Sequence, residues 1–289
     1  MQELERMTVP VTIIIHTKNE ETNLPKALAN VAGWADQIVV VDSESVDRTS
    51  KIADEFGVEL ISRPCTRAQL VQQRNWALDT ISFRNDWAFV LDADETIDAE
   101  LKTEIENIVR SNDPGKDGYS CRSKLIFLGR WIRRATIYET WTLRLLRHSV
   151  VRYERREVNA RPVVAPKREG RMLGNLRNED LKGLEAYLIR IDEFSRLEGV
   201  AYSRIRDGIK TDEKGRLFGS WAQRRRYFKN VFMNFPMRPF VLFVYLYIVR
   251  GGFLDGKPGL YFVVLRVYME FLIDMTRYEA EVVSSGREP

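Results

Sequence analysis

The run Phe89-Val90-Leu91-Asp92-Ala93-Asp94-Glu95 constrains this chain more than any other stretch. Ala88 to Leu91 read as a buried strand, and three carboxylates fall in the four positions that follow. A hydrophobic core does not accept unpaired acids, so the strand must end where they are solvated or bound. In an extended backbone alternate side chains share one side, so Asp92 and Asp94 are expected to converge on one cation. Mg²⁺ or Mn²⁺ suits such oxygen ligands, because these ions take one or two protein carboxylates and complete their shell with water and phosphate oxygens. Alone, the pair also fits a solvated turn ahead of a helix, and its weight comes from the motifs around it.

The chain has 289 residues, 44% hydrophobic and 30% charged, which places it among globular proteins of one large or two small domains. Cys65 and Cys121 show neither metal nor disulfide spacing, and with only His16 and His148 besides, a zinc site is not expected. The start, Met-Gln-Glu-Leu-Glu-Arg, lacks the basic end and apolar stretch of a signal peptide, so a cytoplasmic location is expected. Charge is unevenly divided. Residues 1–120 carry 12 Lys/Arg against 22 Asp/Glu, whereas residues 121–170 carry 13 against 4 and residues 201–250 carry 11 against 3. A diphosphate would approach the acidic third only with a bridging cation, while the basic parts suit a phosphate-bearing partner or an anionic membrane face. No nucleic-acid motif accompanies the basic stretches, and nucleic-acid binding is not expected.

In chain order, Val9 to His16 forms a first β-branched strand with Pro10 near its start, followed by the polar Thr17-Lys18-Asn19-Glu20. Thr22 or Asn23 can cap a helix carrying Leu24, Leu28, Val31 and Ala32. Gln37 to Val41 is a second strand closed by Asp42 and Ser43. Asp47 can cap a helix over Arg48 to Phe56, Val58 to Ser62 is a third strand, and Ala68 to Ile81 a further amphipathic helix before the central strand at Asp86 to Leu91. Strands alternating with helices indicate βαβ units and a parallel sheet, whose ligands sit beyond the C-terminal ends of the strands. Asp42, Asp92 and Asp94 all fall there. Asp98 then caps a helix bearing Leu101, Ile105, Ile108 and Val109, and beyond Gly118 the alternation gives way to strands at Tyr119 to Phe127 and Thr140 to Leu146 in a region rich in Arg and Trp, where a second substrate is expected.

Thr-Lys-Asn-Glu after the first strand, Val-Val-Asp-Ser after the second, Gln73-Arg74-Asn75 and Leu-Asp-Ala-Asp-Glu together resemble the family 2 glycosyltransferases. The resemblance implies an α/β fold of GT-A type, with a mostly parallel Rossmann-like sheet flanked by helices, and an inverting transfer from a nucleotide sugar with a divalent metal. It implies that Asp92 and Asp94 hold the metal, that Thr17, Asn19, Glu20, Asp92 and Ala93 line the nucleotide pocket, that Asp42 meets uracil or ribose, and that Arg74 approaches the base or diphosphate. Family habit favours a UDP-sugar. Phe-Leu-Gly-Arg-Trp at 127–131, Trp141-Thr-Leu-Arg144-Leu, Glu-Asp-Leu-Lys-Gly at 179–183 and Arg250-Gly-Gly-Phe-Leu-Asp-Gly256 are similar to a bacterial subgroup that builds exopolysaccharide, capsule and lipopolysaccharide core. That likeness implies a lipid-linked saccharide acceptor at the inner face of the cell membrane, with Trp141 and Arg144 on the acceptor side.

Inverting transfer needs a carboxylate to take the acceptor hydroxyl proton. Where relatives place it directly after His or Asn, this chain has Asn159-Ala160, which leaves Glu157 and Asp180 as the candidate bases, with Glu154 and Glu179 nearby. Transfer to polyprenyl phosphate itself, and a sugar-nucleotide-binding scaffold that has lost its base, are the alternative readings. After Glu179, Leu181, Leu184, Leu188, Ile191, Phe194 and Leu197 keep helical spacing and are expected to pack in a core. Neither later apolar run, 240–249 or 260–265, reaches the roughly 18–20 residues of a membrane-spanning helix. With arginines at 224–226, residues 222–270 fit a helical surface lying in the membrane interface, and a buried subdomain or oligomer contact is the competing reading. The expected organisation is a nucleotide-binding half at 1–120, an acceptor-binding half at 121–205 and a helical C-terminal extension at 206–289.

Overall fold

The computed structural model describes residues 8–65, 70–111, 113–136, 141–154, 162–206 and 237–284. The chain separates into two compact units, residues 1–131 with 138–182, and residues 132–137 with 183–289.

The first unit is built on β1 (Val9–Thr17), α1 (Leu24–Val31), β2 (Ala35–Asp42), α2 (Thr49–Glu55), β3 (Glu59–Ser62), α3 (Leu70–Thr80), β4 (Trp87–Asp92), β5 (Glu95–Ile97), α4 (Ala99–Ser111), β6 (Gly118–Phe127), β7 (Arg130–Trp131), β8 (Thr142–Arg147), β9 (Arg152–Tyr153), β10 (Pro162–Val163) and β11 (Glu169–Asn178). The main sheet runs β3-β2-β1-β4-β8-β6-β11-β5, with β7 on β6, and β9 and β10 pair separately. β3, β2, β1 and β4 are mutually parallel. β8 is antiparallel to both β4 and β6, so β6 and its parallel neighbour β11 run in the same direction as β4.

The α/β sheet with a parallel half follows from the sequence. Val11, Ile13 and Ile15 on one face of β1 and Ile14 on the other are all buried, as they must be when helices cover both faces. One core joins Ile13, Ile15 and Phe89 to Leu24 and Leu28 of α1 and Leu101 and Ile105 of α4, and the other joins Ile14, Val39 and Val90 to Ala77 and Leu78 of α3. The register slips between Val9 and Thr12, where Pro10 has no N–H to give. Asp98 caps α4 as expected, accepting the Leu101 N–H at 2.9 Å. Asp47 accepts the Thr49 N–H at 3.0 Å, but α2 starts at Thr49 with Arg48 at its cap position, so Asp47 stands one residue before the cap.

Some expectations are corrected. Asn23 makes no side-chain cap for α1, because its amide is engaged elsewhere, and the buried face of that helix uses Ala27 in place of Ala32. β11 was not anticipated. Its buried Met172, Gly174 and Leu176 alternate correctly, but two glycines and two arginines within the ten residues disguise it. Gly174 is required by packing: a Cβ there would lie 2.3 Å from the Leu101 backbone nitrogen at the start of α4.

The second unit contains α5 (Gly183–Arg206), α6 (Arg238–Phe243), a π-helical turn at Val244–Val249, a 3-10 turn at Gly252–Asp255 and α7 (Gly256–Ser284). The sequence boundary near 205 thus falls at the end of a helix that packs on α7: Ile191, Met269 and Ile273 form a core with Tyr187, Phe194, Leu265 and Leu272 around it. Among the described side chains of α5, Ile191 supplies the core, with Tyr187 and Phe194 packed against it. Leu181, Leu184 and Leu188, expected inside, are 45%, 51% and 38% exposed. Arg238 is buried and paired with Glu270 at 2.5 Å and Asp274 at 3.5 Å. The Arg250–Gly256 motif clasps the segment at 132–136: Asp255 accepts the N–H groups of Arg134 and Ala135 at 2.8 and 2.9 Å, and Arg250 donates to the Thr136 carbonyl at 2.9 Å. The arginines at 224–226 lie outside the described residues.

Replacing Gly174 by Ala should push α4 off β11 and cost about 1–3 kcal/mol, the usual penalty of overpacking. Chemical denaturation of the Gly174→Ala variant checks this, and an unchanged midpoint would contradict the packing.

Candidate active site

Parallel register brings the polar ends of the strands to one edge. Thr17 pairs with Asp42 across β1 and β2, and His16 pairs with Asp92 across β1 and β4. β11 ends at the same edge with Asn178, followed by Glu179 and Asp180.

The loops after β1 and β2 are fastened together. Asp42, 1% exposed, accepts the Thr17 hydroxyl at 2.9 Å, the Ser45 N–H at 2.8 Å and the Ser45 hydroxyl at 2.5 Å. A carboxylate offers about four acceptor sites, so this one keeps little capacity for a nucleotide and braces the pocket. Asn19 adopts a left-handed backbone (φ 54°), its N–H donates to the Ser45 hydroxyl at 2.7 Å, and its side chain accepts the Val46 N–H at 2.9 Å. Lys18 donates to the carbonyls of Ser43 and Glu44, so it too belongs to the brace.

The first loop is also tied to the end of β11. The buried Asn23 amide donates to Glu20 at 2.8 Å and to Asp180 at 3.0 Å, while its carbonyl accepts the Leu181 N–H at 2.8 Å. Glu20 further accepts from Lys182 at 2.6 Å, and Lys26 pairs with Glu179 at 2.5 Å. Asp180 thereby stands beside the loop that contains Thr17, Asn19 and Glu20. Asn23 and Lys182 were not anticipated as site residues, since the links span more than 150 positions of sequence.

At the centre, β4 stops at Asp92 and Ala93–Asp94 turn into β5, so the two aspartates do not lie along one extended strand as expected. Ala93 is buried, and the Asp94 carbonyl accepts the Glu179 N–H at 2.8 Å. Arg144 reaches across from β8, donating to Asp92 at 3.0 Å and to Glu95 at 2.8 Å, and Glu95 accepts the Asp92 N–H at 3.1 Å. Arg74 lies 3.5 Å from the other Asp92 oxygen, with its guanidinium over the Tyr153 ring. Burial favours a neutral Asp92, but the charges of Arg144 and Arg74 outweigh it and hold this carboxyl well below the usual range. Burial pushes Glu95 up to about 8, opposed by Arg144 and reinforced by Asp92 and Asp94. Burial, with Arg74, lowers His16 to about 3, so its imidazole is neutral. Arg144 therefore belongs to the acidic centre. Trp141, its expected companion, lies between the guanidinium groups of Arg122 and Arg171, 5.0 and 4.9 Å from its ring centre.

Among the described residues no group of three or more acidic, His or Cys side chains is placed to hold a metal. Mg²⁺ and Mn²⁺ bound with a diphosphate need only one or two carboxylates, and Asp92 and Asp94, both partly exposed at the strand edge, fit that donor set. Glu157 and Ala160 lie outside the described residues.

Two outcomes follow from this electrostatic arrangement. A carboxyl whose folded pKa is raised keeps its proton when the unfolded chain has lost it, so stability falls as pH rises from Glu95's ordinary 4.5 to about 8. Thermal unfolding of Glu95→Gln over that range should show a flatter pH profile than the parent. Arg144→Ala, which strips a buried partner from two acids, should cost on the order of 3 kcal/mol in chemical denaturation at neutral pH; a loss within error would mean that the pairing carries no stability.

The family model for glycosyl transferase family 2 matches residues 12–158. Among curated proteins the chain is similar to an uncharacterized glycosyltransferase of Rickettsia bellii (strain RML369-C), 36% identical over 135 residues that make up 46% of this chain and 44% of that protein. It is also similar to the lipopolysaccharide core biosynthesis glycosyltransferase LpsC of Rhizobium meliloti (strain 1021), 26% identical over 50% of this chain and 54% of that one. The match thus spans about half the length of these relatives. Among solved structures, S. aureus TarS 1-349 in complex with UDP-GlcNAc is 14% identical with a TM-score of 0.45, covering 96% of this chain and 92% of that one. The family match takes in Thr17, Asp42, Arg74, Asp92, Asp94 and Arg144, and it shows that this chain belongs to glycosyl transferase family 2.

Proposed function

We propose that this glycosyltransferase moves a sugar, with inversion, from a UDP-sugar to a lipid-linked saccharide in the assembly of a bacterial surface polysaccharide. The observation that carries the reading is the meeting, at one strand edge, of the Asp92–Asp94 turn, the loop at Thr17 to Glu20 and Asp180. The similarity to LpsC supports a polysaccharide substrate.

Thr17, Asn19 and Glu20 would receive the nucleoside, and Arg74, 3.5 Å from Asp92, would meet a diphosphate approaching it. A divalent cation, Mg²⁺ or Mn²⁺, held by Asp92 and Asp94 would screen the diphosphate and stabilise the charge of departing UDP. Asp180 is our choice of base. Bonds from Asn23 and from the Lys182 N–H, both 3.0 Å, fix its carboxylate beside the loop that would hold the donor. As the acceptor hydroxyl oxygen bonds to the anomeric carbon, the bond to the diphosphate breaks and Asp180 takes the hydroxyl proton. Trp141, stacked against Arg122 and Arg171, would lie on the acceptor side, while Arg144 is assigned to the donor side.

Attachment to the inner face of the cell membrane is part of the same proposal. No single described helix is long and apolar enough to cross a membrane, although the pair Arg238–Val249 and Gly252–Ala280, bent by 68°, passes by length and composition together. Phe240, Tyr245, Ile248, Val249, Phe253 and Leu254 are exposed around that bend, which suits an interfacial contact near a lipid-linked acceptor.

The experiment is UDP release from a panel of UDP-sugars with Mn²⁺ or Mg²⁺, with and without a bacterial membrane lipid extract. Turnover should need both metal and lipid, fall at least about 100-fold in Asp180→Asn, as loss of a general base does, and vanish in Asp94→Ala. Full activity after chelation, or in Asp180→Asn, would contradict the metal or the base assignment respectively.

A further inference from the structure

α7 carries two apolar faces, and among the described residues only one is covered. Phe262, Val263, Met269 and Ile273 are buried. On the other side Tyr261, Val264, Tyr268, Phe271, Met275 and Tyr278 are each between 46% and 69% exposed. Their spacing is three, four, three, four, three, which is the a/d repeat by which one helix packs along another. The stripe is about 26 Å long at the helical rise. We propose that it is the contact by which α7 of one molecule packs antiparallel against α7 of a second copy of this chain.

Charge decides between a second copy and a lipid surface. α7 carries three basic residues, Lys257, Arg266 and Arg277, and four acidic ones, Glu270, Asp274, Glu279 and Glu281, a net of 3 − 4 = −1. Helices that lie on anionic bilayers are bordered by Lys and Arg, whereas this stripe ends at exposed Glu279. Its beginning has the opposite sign. Lys257, also exposed, precedes Tyr261 by one turn and lies on the same face. Antiparallel pairing sets Tyr261 of one copy level with Tyr278 of the other and brings Lys257 within a turn of Glu279 at both ends. Parallel pairing would place like charges together. The two-fold arrangement is therefore self-complementary, as an isologous contact must be.

The area is also of the right order. Large aromatic side chains bury about 150–250 Å² each when fully covered, so the four half-exposed aromatic side chains present on the order of 400 Å², to which Val264 and Met275 add. A standard interface takes about 800 Å² per partner, and the partly buried apolar neighbours Leu260 and Val267 extend the stripe towards it.

Sedimentation equilibrium of the full chain without lipid tests the proposal. The parent should be dimeric at micromolar concentration, and Phe271→Lys should be monomeric with an unchanged circular dichroism spectrum. Lys257→Glu and Glu279→Lys should each weaken the dimer several-fold, and the double charge swap should restore it, a comparison that survives even if Phe271→Lys fails to fold. A parent that stays monomeric overturns the proposal, as does a double swap weaker than either single variant. So does a Phe271→Lys variant that remains dimeric but no longer binds phosphatidylglycerol vesicles, which would assign the stripe to lipid.

Discussion

A single guanidinium, buried between the Asp92 carboxylate and the Glu95 carboxyl group, fixes the centre of the first unit. Arg144 projects from β8 onto Asp92, the last residue of β4, and onto Glu95, the first of β5, so it clamps both ends of the turn that holds Ala93 and Asp94. Burying the Arg144 and Asp92 charges is expensive, and geometry has to offset it: the Glu95 carboxyl also accepts the Asp92 N–H, and Arg144 also donates to the Val90 carbonyl at 3.3 Å. Three acids in four positions, which alone would repel one another and splay, are thereby held in one shape.

That clamp makes the remaining edge intelligible. Parallel register delivers Thr17, Asp42 and Asp92 to adjacent strand ends, and β11 delivers Asp180 by running in the same direction. Hydrogen bonds then fasten each end to the next: Asp42 to Thr17 and Ser45, Asn23 to Asp180 and Leu181, the Asp94 carbonyl to Glu179. The polar side chains are held by one another before any ligand arrives, which is how a site avoids reorganising as charge develops in a reaction.

Much of this was legible in the sequence, because it depends on local pattern. The four parallel strands follow from β-branched runs, and the acids at Asp42 and Asp92 mark where those runs meet solvent. What escaped depends on distant pairing. Nothing near Arg144 says that its partners lie 49 and 52 positions earlier, and the likeness to the bacterial subgroup implies a place on the acceptor side instead. Asn23 resembles a helix cap until β11 places Asp180 opposite it, and β11 was itself hidden by glycines that its packing on α4 requires. The expected convergence of Asp92 and Asp94 assumed a strand two residues longer than the one that forms.

The central claim is that this edge binds a nucleoside diphosphate through a cation at the Asp92–Asp94 turn. Calorimetric titration of UDP into the protein, with and without Mn²⁺, tests it without needing the acceptor or the sugar. The account predicts tight binding that depends on Mn²⁺ in the parent and loses that dependence in Asp94→Asn. UDP binding that is indifferent to Mn²⁺, or no UDP binding in either condition, would contradict it.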